Sequence, residues 1–359
     1  MRAAVCRVHG GPLSLEPLNL ADPAPNQVAV RIEACAICHS DLLWMSGGWG
    51  GTLPAVFGHE AAGRVEAVGE GVSDLAPGDA VIVTMLRSCG SCPCCARGLR
   101  GVCEAPPLVD APLRDAAGAP VLQGLKTAAF AERALLDRSQ LVRLDNPLAP
   151  ELGALLACGG VTGYGAVANT AEFGTRDRAG AAVAVIGAGG VGLHAVQAAA
   201  LFGADPVIAV DVSLEQLAHA EACGATHGLL AGPDLPDRMR ALTGGRGVDF
   251  VFVSVGAPAA IQQSLLLLAP GGWSVIMGMP PIGTEIRLDP LELAAAQHRL
   301  IGSKLGDADP EADLTRLVDL HRSGRWRLEE LIGARLPFDD VNPAIDAAKA
   351  GGLRTVLMF

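Results

Sequence analysis

The sequence predicts an α/β protein of two domains: a doubly wound parallel sheet in the middle of the chain and a mostly-β domain assembled from its two ends. Three observations carry this reading. Continuous apolar runs alternate with helical segments from about residue 181, short strand-like runs broken by turns fill the chain up to about residue 150, and a last apolar run, "RTVLMF", can return to that first half. Apolar strands alternating with helices mark a parallel sheet covered on both faces.

At 359 residues the chain is long enough for two cores of ordinary size. Hydrophobic residues make up 50% and charged residues 18%, with 45 glycines, a composition that suits buried sheet and tight turns rather than a disordered tract. A formal net charge of -11 disfavours non-specific contact with nucleic acid or an anionic membrane, and no basic stripe offsets it. The start, "MRAAVCRVHGGPLSLEPLN", lacks the apolar core and cleavage site of a signal peptide, and no apolar run reaches membrane-spanning length. A soluble, cytoplasmic protein is expected. In that reducing compartment ten cysteines point to metal binding or catalysis rather than disulfides.

In chain order, "QVAVRIEACA", "AAGRVEAVG" and "DAVIVTM" are strands separated by Gly, Pro and Asp turns. From residue 181, "AAVAVIGAG" is a strand, "GVGLHAVQAAALFGA" a helix, "DPVIAVDV" a strand and "SLEQLAHAEACGA" a helix, with further strands at "VDFVFVSVG" and "GGWSVIMG". The segment "PLELAAAQHRLIGSK" leads into the final region. The expected boundaries are therefore 1–156 and 295–359 for the catalytic domain and 157–294 for the nucleotide-binding domain.

Between the first middle strand and its helix lie Gly187, Gly189, Gly190, Val191 and Gly192. Gly187 permits a tight turn, Gly189 lets backbone approach a pyrophosphate at the helix N-terminus, and Gly192 permits close packing of helix on strand. The second strand ends in Asp211, nineteen residues beyond Gly192, where a carboxylate can accept hydrogen bonds from the adenosine ribose. No arginine directly follows it in "DVSLEQ", so NAD is expected in preference to NADP.

The stretch "SCGSCPCCARGLRGVC" places Cys89, Cys92, Cys95 and Cys103 at a C-x2-C-x2-C-x7-C spacing, with Cys94 left over. Tight turns can bring four such thiolates to the corners of a tetrahedron around zinc. Cysteines at two-residue intervals also suit a four-iron cluster, but neither a second cluster motif nor a proline-flanked last cysteine accompanies them. Four protein ligands close a zinc site and make it structural, so chemistry is expected elsewhere. Scattered along the chain are Cys38 in "AICHSD", His59 in "FGHEAAG" and Cys158 in "LLACGGVTGYG". Two thiolates and one imidazole can hold zinc with a fourth position open, although each of these residues taken alone also suits a core.

Together these features resemble the zinc-dependent medium-chain alcohol dehydrogenase family, over nearly the whole chain from "MRAAV" to "LRTVLMF". The most specific markers are the GHE-x2-G run at 58–63, the four-cysteine lobe and the glycine fingerprint with Asp211. The resemblance implies a Rossmann domain beside a GroES-like catalytic domain carrying a structural zinc lobe, with NAD and two zinc ions per subunit. It implies that Cys38, His59 and Cys158 are the catalytic zinc ligands, and that Cys89, Cys92, Cys95 and Cys103 are the structural ones. Glu60 matches an acid near the catalytic zinc and Asp41 the acid that orients the ligand histidine. Ser40 matches the residue that hydrogen-bonds the substrate hydroxyl, while His39 and Arg354 match contacts to the cofactor pyrophosphate. Trp49 and Met85 match positions lining the substrate channel, where an apolar primary or aromatic alcohol fits better than a sugar.

Leu43 departs from the pattern, because many relatives carry there a histidine that ends the proton relay. The expected activity is hydride transfer between a primary or aromatic alcohol and NAD, forming an aldehyde. The alternative is a glutathione- or mycothiol-dependent formaldehyde dehydrogenase, whose members also tend to lack that histidine. Cys158 argues against a polyol dehydrogenase, the two metal sites against the quinone-reductase-like branch, and the complete triad against a non-catalytic NAD sensor. A homodimer is expected, with edge pairing of middle-domain strands as its route and a homotetramer as the alternative. The stretch 105–124, after the cysteine lobe, is shorter than in animal relatives and is the part whose shape is hardest to anticipate.

Overall fold

The computed structural model describes residues 1–106, 111–146 and 148–359, so Pro107 to Asp110 within the stretch after the cysteine lobe lie outside the described residues. The chain divides into two compact units, Met1–Gly159 with Asp309–Phe359, and Gly160–Ala308.

The first unit is built around a mostly antiparallel sheet whose strands lie in the order Leu141–Arg143, Ala80–Val83, Glu60–Val68, Gln27–Ala36, Arg354–Met358, Ile332–Pro337, with Arg133–Asp137 also paired to Gln27–Ala36. Gln27–Ala36 is buried at eight of its ten positions rather than at alternate ones, as expected of a strand covered on both faces. The last strand does return to this sheet, setting Val356 opposite Ala36 and Leu357 opposite Cys35. Arg354 thereby reaches the neighbourhood of Ile37 and Cys38. A second sheet contains Arg2–Cys6, Ser14–Pro17, Ala55–Val56 and Pro120–Gln123. Phe57, Phe130, Ile32, Val5 and Leu136 fill the shared core at 1% exposure or less.

The second unit holds six parallel strands in the order His227–Leu230, Val207–Asp211, Val183–Ile186, Val248–Val253, Leu268–Ile276, Arg299–Gly302. Numbered along the chain this is 3-2-1-4-5-6, the doubly wound order that places a ligand crevice at the carboxyl ends of the central strands. Helix Gly192–Leu201 follows the first strand and Leu214–Ala222 the second, the latter capped by Ser213 Oγ on the Gln216 N–H at 3.4 Å.

Three sequence expectations need adjusting. The first boundary falls after Gly159 rather than 156, inside a continuous helical stretch. The second falls after Ala308 rather than 294, because Arg299–Gly302 pairs in parallel with Leu268–Ile276 as the sixth strand of the sheet. An apolar stretch of membrane-spanning length does exist, the helical run Pro150–Thr170, but 94% of its most apolar window is buried, as befits a core helix.

Candidate active site and metal centres

Within the first unit, strand Gln27–Ala36 runs out through Ile37 and the chain turns at Cys38 into helix His39–Met45. Asp41, on the third helical residue, reaches back to the start of its own helix, its Oδ2 accepting from the Cys38 N–H at 3.1 Å. The other oxygen accepts from the Gly58 N–H at 2.9 Å and lies 3.0 Å from His59 Nδ1. One carboxylate therefore ties Cys38 and His59 together, although they lie 21 positions apart in the chain. Cys158 joins them from a π-helical turn, Leu156–Gly160, that interrupts the helical run begun at Pro150. Such turns widen a helix locally and recur at functional sites.

The ligand atoms of Cys38, His59, Glu60 and Cys158 all lie within 4.8 Å of one another and all four residues are buried. His59 Nε2 and Glu60 Oε2 have no hydrogen-bond partner there. A buried imidazole nitrogen without a partner is costly unless something occupies its lone pair, and with Nδ1 engaged by Asp41 the free atom is Nε2. Two sulfurs beside it complete a donor set that fits zinc. The hydrogen bond from Cys158, helped by the charges of Arg354 and His59, holds the Cys38 thiol well below its ordinary pKa in spite of burial, while the same bond and burial push Cys158 up. Burial pulls the His59 pKa down, but Asp41 and Cys38 outweigh it and leave the value well raised. Glu60 is pushed by burial up to about 8 against the pull of Arg354.

Arg354 lies beside the same donors within the first unit. Its Nη2 donates to Glu60 Oε1 at 2.8 Å and its Nη1 to the Ile37 carbonyl at 3.2 Å, which anchors the guanidinium beside the metal donors. His39 is exposed at the head of its helix. Ser40 and Leu43 are half-exposed, one turn apart on the same helix face, whereas Asp41, Leu42 and Met45 form its buried face.

The second cysteine set, Cys89, Cys92, Cys95 and Cys103, also gathers its sulfurs within 4.8 Å. Backbone N–H groups supply the local reason. Cys92 N donates to Cys89 Sγ at 3.3 Å, Cys95 N to Cys92 Sγ at 3.4 Å and Cys89 N to Cys103 Sγ at 3.4 Å. Such donors favour thiolates; donors from Ser91 and Cys92 lower the Cys89 thiol to about 6. Cys94 takes no part, its Sγ lying 3.5 Å from Glu104 Oε1. Among the described residues this set gathers four thiols with no histidine, carboxylate or fifth donor, which fits a closed four-thiolate zinc site.

In the second unit the glycine turn has the form a dinucleotide needs. A Cβ at Gly192 would overlap the Gly187 carbonyl oxygen, whereas a Cβ at Gly189 would meet nothing within 4 Å. Close packing is thus enforced at one glycine and open space kept at the other. Gly189, Gly190 and Val191 are half-exposed at the start of helix Gly192–Leu201. Asp211 sits at the end of its strand, where Oδ2 accepts from the Ala188 N–H at 2.7 Å and Oδ1 from the Ser213 N–H at 3.0 Å. The carboxylate is oriented by the very turn that would cradle the pyrophosphate, so these residues fit NAD.

Comparison with known proteins agrees with both units. The family model described as alcohol dehydrogenase GroES-like domain matches residues 24–146, and the one described as zinc-binding dehydrogenase matches 190–321. Geraniol dehydrogenase from Castellaniella defragrans is 34% identical over 371 residues, covering 100% of this chain and 97% of that protein. An alcohol dehydrogenase zinc-binding domain protein from Burkholderia ambifaria superposes with a TM-score of 0.93 at 36% identity, over 100% of this chain and 98% of its own. Benzyl alcohol dehydrogenase from Acinetobacter calcoaceticus gives a TM-score of 0.90 at 30% identity, over 100% and 99% of the two chains.

Proposed function

Because this chain belongs to the zinc-dependent medium-chain alcohol dehydrogenase family, we propose that it oxidises unsaturated apolar primary alcohols, allylic or aromatic, to aldehydes with NAD. The single observation that carries the site assignment is the buried convergence of Cys38, His59 and Cys158, with His59 Nε2 left for a metal. The names of two relatives, a geraniol and a benzyl alcohol dehydrogenase, support the substrate class, since both alcohols are primary and unsaturated.

Cys38, His59 and Cys158 would hold the catalytic zinc, and Cys89, Cys92, Cys95 and Cys103 the structural one. When bound, zinc acts as a Lewis acid toward the alcohol oxygen and NAD accepts the hydride. The chain's own residues do the rest. Asp41 fixes the His59 tautomer and aims its ring. Ser40 Oγ, on the half-exposed helix face two residues after Cys38, takes the alcohol proton. Leu43 cannot receive it one turn further on, so among the residues of this helix His39, exposed at its head, would carry the proton to water. Arg354 donates to the Glu60 carboxyl beside the donors, so that neither group is buried without a partner. The glycine turn and Asp211 bind and select the dinucleotide.

Two copies would associate through the edge strand Arg299–Gly302, which has a partner on one side only in its sheet, in a unit that also exposes Ile282 and Leu291. The thiolate ligands suit a cytoplasmic setting, where they stay reduced.

The test is an initial-rate assay of reduced-nicotinamide formation with NAD and a panel of primary, secondary and aromatic alcohols, beside formaldehyde with and without glutathione or mycothiol. Turnover of geraniol-like and benzylic alcohols without thiol is expected. Activity confined to formaldehyde plus thiol would replace this reading with the adduct-oxidising one.

A further inference from the structure

The segment "SGGWGG", residues 46–51, carries a lone tryptophan between two pairs of glycines. Neither helix nor strand includes it, and its residues through Trp49 form turns. Glycine-rich backbone gives a side chain little positional definition, so Trp49 depends on its packing. Trp44 supplies that. The two indoles meet edge to face at 6.3 Å and 68°. Trp44 in turn lies 6.0 Å from Phe57, which is 1% exposed in the core two residues before His59.

The loop backbone is fitted to the same helix face. Gly51 has φ +109, and a Cβ there would overlap Trp44 Nε1; a Cβ at Gly48 would overlap Leu43 Cδ1. Trp44 is therefore held from below by the core and presses on both the ring and the backbone of the loop. It also lies four residues after Ser40 on helix His39–Met45, hence on the same face and about one turn along.

We propose that Trp44 is a specificity-determining positioning residue: it sets Trp49 edge-on and forms with it an aromatic wall one helical turn from Ser40 Oγ, favouring flat unsaturated alcohols over short saturated ones. This rests on the reading that Ser40 meets the substrate hydroxyl. Flat unsaturated groups gain from edge and face contacts with indoles, whereas a two-carbon chain is too short to reach them.

The experiment measures kcat and KM of the zinc-loaded, full-length enzyme for benzyl alcohol and for ethanol, in wild type, Trp44→Phe, Trp44→Leu and Gly51→Ala, with zinc content per chain recorded for each. For Trp44→Leu the ratio of kcat/KM for benzyl alcohol to that for ethanol should fall about tenfold or more, mainly through a higher KM for benzyl alcohol. Trp44→Phe should keep most of the ratio. Gly51→Ala, which pushes on the indole without removing it, should shift the ratio in the same direction. A Trp44→Leu enzyme with two zinc ions and an unchanged ratio would overturn the proposal; if that variant loses zinc, an unchanged ratio in Gly51→Ala does so. A wild type that oxidises neither alcohol would instead overturn the functional reading, and this assignment with it.

Discussion

Asp41 Oδ1 lies 3.0 Å from His59 Nδ1, and neither side chain is exposed to solvent. The same carboxylate accepts from the backbone of Cys38 and of Gly58, so one acid aligns two of the three proposed ligands of the catalytic metal. Asp41→Asn keeps the shape but removes the charge that fixes the histidine tautomer. Zinc affinity at this site should fall about 10- to 100-fold, measured by competition with a chelator. Unchanged affinity would leave Asp41 a purely structural cap.

The two cysteine clusters should be separable by metal count. Cys38→Ser should reduce zinc from two ions per chain to one with the fold retained, because its cluster sits in a core that many other contacts hold. Cys95→Ser should also leave one ion per chain but loosen the lobe from Cys89 to Cys103, whose backbone donors otherwise face thiolates. Elemental analysis together with limited proteolysis distinguishes the two variants, and a Cys38→Ser protein that retains both ions would remove that residue from the ligand set.

Ser40→Ala should slow hydride transfer by about 10²- to 10⁴-fold in a single-turnover assay, the range for loss of a positioned proton acceptor. NAD binding should change little. An unchanged rate would take the proton through another group.

Asp211→Gly should move the ratio of NAD to NADP efficiency toward NADP. It should also loosen the glycine turn, because the Ala188 N–H loses its acceptor. A ratio that does not move would reject ribose recognition by this carboxylate.

Acid should weaken the first unit in a predictable direction. Arg138 holds the Asp74 carboxyl below its usual pKa, so the pair's contribution is complete above the unfolded value near 3.9 and is lost as pH falls through the lower folded value. Since Asp74 is 59% exposed, the contribution is screened and should stay under about 1 kcal/mol. Urea midpoints of Asp74→Asn and wild type should differ slightly at pH 7 and converge near pH 2; a constant difference would assign the effect to packing.

Legibility in the sequence followed locality. The glycine turn with Asp211 and the four-cysteine lobe are short-range patterns, and the structure brings each together. Cys158 was readable only by resemblance, since spacing says nothing about a residue separated by 99 positions from His59; the π-helical turn that presents it left no composition signal. The sixth strand, Arg299–Gly302, leaves little signal in the sequence, because an edge strand of two exposed and two half-buried residues lacks a continuous apolar run. The partnership of Arg354 with Glu60 depends on the register of the last strand against Gln27–Ala36, which no local pattern encodes. Asp41 carries a local signal: an acid three residues after the N-cap residue, here Cys38, is the spacing of a reciprocal cap.

The most direct measurement compares benzyl alcohol oxidation with NAD by Cys158→Ser and Cys103→Ser enzymes, each verified to hold one zinc ion per chain. The account predicts that Cys158→Ser is inactive while Cys103→Ser, as long as it stays folded, still turns over. Turnover at the wild-type rate by Cys158→Ser would contradict a catalytic metal held by Cys38, His59 and Cys158.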